Sequence, residues 1–134
     1  MVDKIISGKR KTSIAKVRIK SGTGKVTYNR KPADELGLFH RLSLLEPIKI
    51  YEKEFGKDLK NDFHIKTMGG GKESQIQAAR LALAKSLIHV SGSDVLKKVF
   101  LKYDRYLIVQ DSRRKETRKP GDSSARANRQ TSYR

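Results

Sequence analysis

Three contiguous glycines, Gly69, Gly70 and Gly71, followed at once by Lys72, make the most chemically suggestive segment of the sequence. They stand between an alternating segment and a long helical pattern. There, backbone N–H groups can close on a phosphate while a helix N-terminus adds partial positive charge. The same residues suit a tight strand-to-helix turn, and that is the preferred reading. The segment lacks the Lys-Ser/Thr ending of a P-loop and the spaced glycines of a dinucleotide fingerprint, so it carries no specific nucleotide assignment, and Lys72 is what keeps the phosphate reading open. A second constellation is cationic: Lys9, Arg10 and Lys11 are consecutive, and Lys16, Arg18 and Lys20 recur at every second position. A third lies near the end of the chain, in Arg113, Arg114, Lys115, Arg118, Lys119, Arg126, Arg129 and Arg134. Arginines outnumber lysines there, and a planar guanidinium can bridge phosphate oxygens or stack on bases, which suits structured RNA.

Catalytic chemistry finds little support. His40, His64 and His89 lie in separate segments without metal-ligand spacing, and no serine sits in a nucleophile elbow. Glu52, Glu54 and Asp58 alternate with Lys53 and Lys57, the pattern of a solvated run rather than an acid/base pair. A phosphotransferase built on the glycines would need acidic magnesium ligands, and Glu73 alone is a poor site. The sequence therefore predicts no active site, no cofactor, no metal and no small-molecule substrate.

Composition points the same way. The chain has 134 residues with 31 Lys+Arg against 14 Asp+Glu, a formal charge of +17, which calls for a polyanionic partner. The excess sits at the ends: residues 1–20 carry seven basic and one acidic residue, and 112–134 carry eight and two. The middle, with sixteen against eleven, has an ordinary balance. A generic DNA-packaging protein would share this charge. The absence of cysteine excludes a disulfide framework and a thiolate site, and fits a reducing compartment. No apolar run is long enough for a membrane span or a secretory signal, so a soluble intracellular protein is expected.

The elements that must position these groups follow from periodicity. Ser13 to Lys20 alternates, with Ala15, Val17 and Ile19 inward; Ser21-Gly22-Thr23-Gly24 offers a turn, and Val26-Thr27-Tyr28 resumes a strand, together predicting a hairpin. The run Lys9 to Lys11 then just precedes the first strand. A helix is predicted over 33–46, burying Leu36, Phe39, Leu42 and Leu45 and stopped by Pro47. Ile48 to Tyr51 suits a short strand or turn, and Lys53 to Asn61 a polar connection. Phe63, Ile65 and Thr67 mark another strand, Lys72 to Val90 a long helix, and Ser93 the cap of a further helix with Val95, Leu96, Val99 and Phe100 inward. Arg105 to Gln110 reads as a last strand. The sum is an α+β domain over 1–111, helices on one face of a small mixed sheet, and an extended basic tail over 112–134. That tail has too few apolar groups to order alone, so contacts outside the chain must order it.

The assembled motifs match a known pattern. They are Gly8-Lys9-Arg10-Lys11-Thr12-Ser13-Ile14-Ala15, Gly69-Gly70-Gly71 with Gln75-Ile76-Gln77-Ala78 and Arg80, Tyr103-Asp104-Arg105, Asp111-Ser112-Arg113-Arg114, and terminal Ser132-Tyr133-Arg134. From about residue 7 to the end, the chain resembles the family of small-subunit ribosomal protein nine, in its archaeal and eukaryotic type. Asn29-Arg30 departs from the Asn-Gly usual there.

The resemblance implies a domain similar to the second domain of ribosomal protein five, seated on rRNA in the head of the small subunit among neighbouring head proteins. It further implies a cytoplasmic location within the ribosome, and a C-terminal tail that reaches the anticodon stem-loop of peptidyl-site tRNA. By motif position Ser132, Tyr133 and Arg134 would touch that tRNA. Lys9, Arg10, Lys11, Lys16, Arg18, Gly69, Gly70, Gly71, Lys72, Arg80 and Arg105 would hold rRNA, as would Arg113, Arg114, Lys115, Arg118, Lys119, Arg126 and Arg129.

Overall fold

In the computed structural model, residues 4–56, 59–127, 130 and 132 are described. Five strands, β1 (Ile5–Arg10), β2 (Ser13–Ser21), β3 (Val26–Tyr28), β4 (Lys31–Pro32) and β5 (Asn61–Met68), form one sheet in the order β1-β2-β5-β3-β4. Only β3 and β5 run parallel; the other neighbours are antiparallel. Three helices, α1 (Leu38–Phe55), α2 (Lys72–Ser91) and α3 (Asp94–Tyr103), complete the fold. Helix α2 packs on β1, β2 and β5, and α1 packs on α2. The α+β layering expected from the sequence is thus observed, with the helices on one face of a mixed sheet.

Alternation explains which face is covered. On β2 the buried residues are Ser13, Ala15 and Val17, and on β5 Phe63, Ile65 and Thr67, all turned toward α2. Helix α2 answers with Ile76, Ala79, Leu83 and Leu87, and with alanines 78, 82 and 84 that permit a close approach. The approach is tightest at Gly8 in β1, where a Cβ would lie 2.6 Å from the Ala78 carbonyl oxygen and 2.7 Å from the Ala82 nitrogen. No residue with a side chain fits there without moving β1 off the helix.

Several local expectations are overturned. The segment Ile5–Arg10, with Lys9 and Arg10, is itself the first strand and the true hairpin partner of β2. β2 and β3 are not hairpin partners, because β5 is inserted between them. The Asp62 carboxylate at the start of β5 accepts from the Thr23 and Lys25 amides, both at 2.9 Å. Those bonds hold the 21–25 loop across the strand end, so the chain returns on the far side of β5.

Pro47 does not stop the first helix but lies within it, its ring fully buried. Burial against the core outweighs the hydrogen bond it cannot make. The helix begins at Leu38, after a 3-10 turn over Ala33–Glu35, and runs through the segments expected as a strand or turn and as part of the polar connection. Its inward residues are Leu44, Pro47, Ile48 and Tyr51, whereas Phe39 and Leu42 are exposed and Leu36 and Leu45 only partly buried. On α3 the Ser93 cap is present, its hydroxyl accepting from the Val95 N–H at 3.2 Å; Leu96 and Phe100 point inward but Val95 is exposed. Arg105 to Gln110 is not a strand. The Asp104 carboxylate accepts from the Tyr106 N–H at 2.8 Å and winds Arg105–Leu107 into a 3-10 turn that buries Leu107. Beyond the buried Asp111, residues 112–127 are mostly exposed and carry neither helix nor strand.

Candidate nucleic-acid interface

Among the described residues, the face of the sheet turned away from α2 is uncovered and basic. Register sets Lys16 of β2 directly beside Lys66 of β5, Arg18 beside His64 and Lys20 beside Asp62. On the far side of β5, Thr27 stands next to His64, their Oγ1 and Nδ1 atoms 2.6 Å apart. Arg30 closes the β3–β4 hairpin, and with Lys16, Arg18, Lys20, Thr27, His64 and Lys66 it lines a groove of about 690 Å³. Like charges placed directly across a sheet repel, so pairing Lys16 with Lys66 weakens the isolated sheet and makes sense as a seat for anions. Asp62 does not cancel the patch: the Lys25 amide, and with it those of Thr23 and Gly24, holds its carboxyl below the usual range and commits its charge to the 21–25 loop.

The rim is shaped by the β3–β4 turn, in which Asn29 and Arg30 both have positive φ, 47° and 71°, as a two-residue type I′ turn requires. Asn29 suits this role. Its side-chain amide pairs with Thr67 in both directions, accepting from the Thr67 N–H and donating to its Oγ1, each at 2.9 Å. Arg30 bears the strain of the left-handed region at the position where glycine fits best.

The glycine segment resolves into a packed turn. Gly69 and Gly70 have φ of 74° and 64°, and a Cβ on Gly69 would lie 2.7 Å from the Thr12 carbonyl oxygen. The buried Ser13 hydroxyl donates to the Gly69 carbonyl at 2.9 Å, the Gln75 amide donates to the same oxygen at 2.9 Å, and the Ser74 hydroxyl accepts from the Gly71 N–H at 3.1 Å. The β1–β2 hairpin tip, with Lys11 beside Thr12, is thereby drawn against the turn that precedes the exposed Lys72.

A third group of charges binds the fold internally. Arg80 donates to Glu46 at 2.5 Å and pairs with Asp104 at 3.1 Å, while the Tyr103 hydroxyl donates to Glu46 at 2.9 Å. That hydrogen bond to a carboxylate pushes the Tyr103 hydroxyl above its ordinary pKa. Asp111, its side chain only 5% exposed, pairs with Arg10 of β1 and with Arg113, whose Nη2 lies 2.8 Å away. This fastens the root of the C-terminal segment to the sheet edge. Lys9, Arg10, Arg80 and Arg113 with Glu46, Asp104 and Asp111 line a cavity of about 440 Å³.

Of the candidate residues, the structure unites Lys16 and Arg18 on the open face and gathers Lys11, Gly69, Gly70, Gly71 and Lys72 at one end. Arg105, Arg114, Lys115, Arg118 and Lys119 are exposed, and Arg126 is bonded by Glu116 at 2.7 Å. Ser132 is exposed; Arg129, Tyr133 and Arg134 lie outside the described residues. Lys66, His64 and Arg30 were not foreseen. The alternation of His64 and Lys66 with Phe63, Ile65 and Thr67 carries the signal, but only the pairing of β5 with β2 brings them beside Lys16 and Arg18. Among the described residues no cluster of three or more His, Asp or Glu could hold a metal ion.

Residues 8–134 match the family described as ribosomal protein S9/S16. The chain is 42% identical over 130 residues to the small ribosomal subunit protein uS9 of Methanococcus vannielii, covering 95% of each chain. It is 43% identical over 130 residues to the protein of the same description from Methanococcus maripaludis strain C5, again with 95% of each covered.

Proposed function

We propose, from the premise that this chain belongs to the ribosomal protein S9/S16 family, that its open sheet face and basic C-terminal segment hold the RNA of the small ribosomal subunit. It is a structural ribosomal protein rather than an enzyme, working in the cytoplasm as part of the ribosome with rRNA and ribosomal proteins as partners. The observation that carries the finer reading is the row Lys16–Lys66 and Arg18–His64 on a sheet face that none of the described helices covers. Its mechanism is electrostatic: cations held at strand spacing meet phosphates and release counterions, with no base-specific contact required.

The chain divides at residue 111 into a docking domain and a tail. Arg10, Asp111 and Arg113 set the direction in which the tail leaves. Lys9, Lys11, Lys72, Arg105 and the tail cations reach rRNA around the sheet face, while the glycine turn and Arg80 support this surface by holding its elements together. Ser132, Tyr133 and Arg134 contact the anticodon stem-loop of peptidyl-site tRNA, a backbone grip that suits every tRNA alike.

Two measurements test this reading. Affinity for a small-subunit rRNA fragment, compared with duplex DNA at matched salt, should favour the rRNA and fall by several decades over a few-fold rise in salt, as release of about 8–12 counterions implies. Equal affinity for the two would support a generic nucleic-acid binder instead. Deleting Ser132 to Arg134 should leave subunit assembly intact and weaken peptidyl-site tRNA binding. Unchanged tRNA binding, or loss of assembled subunits, would refute the role given to the terminus.

A further inference from the structure

We infer that Leu38, Phe39 and Leu42, exposed together at the start of α1, seat a basic protein segment that inserts an apolar side chain. The inference rests on the reading of this chain as a ribosomal component. These residues are 65%, 80% and 54% exposed, although the inward side of the same helix is already filled by Leu44, Pro47, Ile48 and Tyr51. Single exposed apolar residues are ordinary, but a phenylalanine and two leucines within five positions form a contiguous patch.

Charge identifies the occupant. In a chain of +17, residues 33–46 hold three carboxylates, Asp34, Glu35 and Glu46, against one guanidinium, Arg41; Glu46 is neutralised by Arg80 of α2, so the rim's acidic character rests on Asp34 and Glu35. Arg41 is itself bound to Asp34 at 2.8 Å. Glu73 adds an exposed carboxylate beside His40, 2.7 Å away. Phosphates are repelled by such a rim, whereas a basic polypeptide is attracted. Helix α1 packs on α2, which separates it from the open sheet face, so RNA on that face leaves the patch accessible. The site is also held in place: besides those ion pairs, the Ser43 hydroxyl bonds the Phe39 carbonyl at 2.9 Å, so little ordering remains for binding.

The test places a benzophenone amino acid at position 39 of the full chain and irradiates small subunits that contain it. The expected result is a cross-link to one strongly basic protein. Two double variants, Phe39→Ala with Leu42→Ala and Asp34→Lys with Glu35→Lys, should each weaken that protein's retention by about tenfold or more. Both alter exposed side chains, so the chain's own sedimentation with rRNA should not change; the first should leave the melting temperature unchanged, and the second, which breaks the exposed Asp34–Arg41 pair, should lower it by no more than about 5 °C. A cross-link to rRNA, a cross-link to a second copy of this chain, no cross-link, or retention insensitive to either variant would overturn the inference. If the unaltered chain does not sediment with the subunit, the functional reading itself has failed and takes this inference with it.

Discussion

Replacing Lys66 by glutamate should raise the stability of the free protein while weakening its hold on RNA. Lys66 and Lys16 are directly paired across β5 and β2, and both side chains lie on the exposed face. Turning a like-charge pair into an opposite-charge pair at this spacing is worth roughly 0.5–1 kcal/mol. For a chain of this size that corresponds to a rise in melting temperature of about 2–5 °C at low salt. On RNA the sign reverses. One lost phosphate contact removes about 0.7–0.9 from the slope of log affinity against log salt, which at 0.15 M amounts to about four- to sixfold in affinity, before any repulsion from the new carboxylate. Thermal unfolding of the free protein and a salt titration of its binding to an rRNA fragment supply both numbers. A fall in melting temperature would show that Lys66 is a structural residue, and an unchanged salt slope would show that the open face does not meet phosphate. Either result refutes the reasoning from cross-strand register to RNA binding.

Other consequences are equally direct. Arg30→Gly relieves a side chain at φ 71°, so the melting temperature should rise by the equivalent of about 1 kcal/mol, while affinity for rRNA falls because a groove cation is gone. Gly8→Ala sets a methyl group against the Ala78 carbonyl and the Ala82 nitrogen of α2 and should cost about 1–3 kcal/mol in denaturant unfolding. Asp62 has a depressed folded-state pKa relative to its ordinary 3.8, so its stabilising contribution is present above that value and is lost as pH falls through the lower, folded one. Unfolding followed across this acidic window should show a steeper loss in the parent than in Asp62→Asn; parallel curves would mean that the loop amides do not hold the charge.

Much of the architecture is legible in the sequence because it depends on local periodicity. The alternation of Ala15 and Val17, and of Phe63, Ile65 and Thr67, marks strands with one buried face, and the spacing of Ile76, Ala79, Leu83 and Leu87 marks the long helix. The segregation of charge to the ends points to a polyanionic partner, and the motifs from Gly8 to Arg134 carry the resemblance to the ribosomal family, before any coordinate is known. Strand pairing is a different matter. It is a relation between distant segments, and no local signal says that β5 inserts between β2 and β3, or that Ile5–Arg10 rather than Val26–Tyr28 is the hairpin partner of β2. Pro47 shows the same limit: its local effect is to end a helix, but full burial in the core holds it within one. The interface follows from this distinction. The cationic face of β2 was visible in Lys16, Arg18 and Lys20, but its second row, His64 and Lys66, is set beside it only by tertiary pairing. Side-chain alternation is a property of one strand, whereas a surface is a property of the register between two.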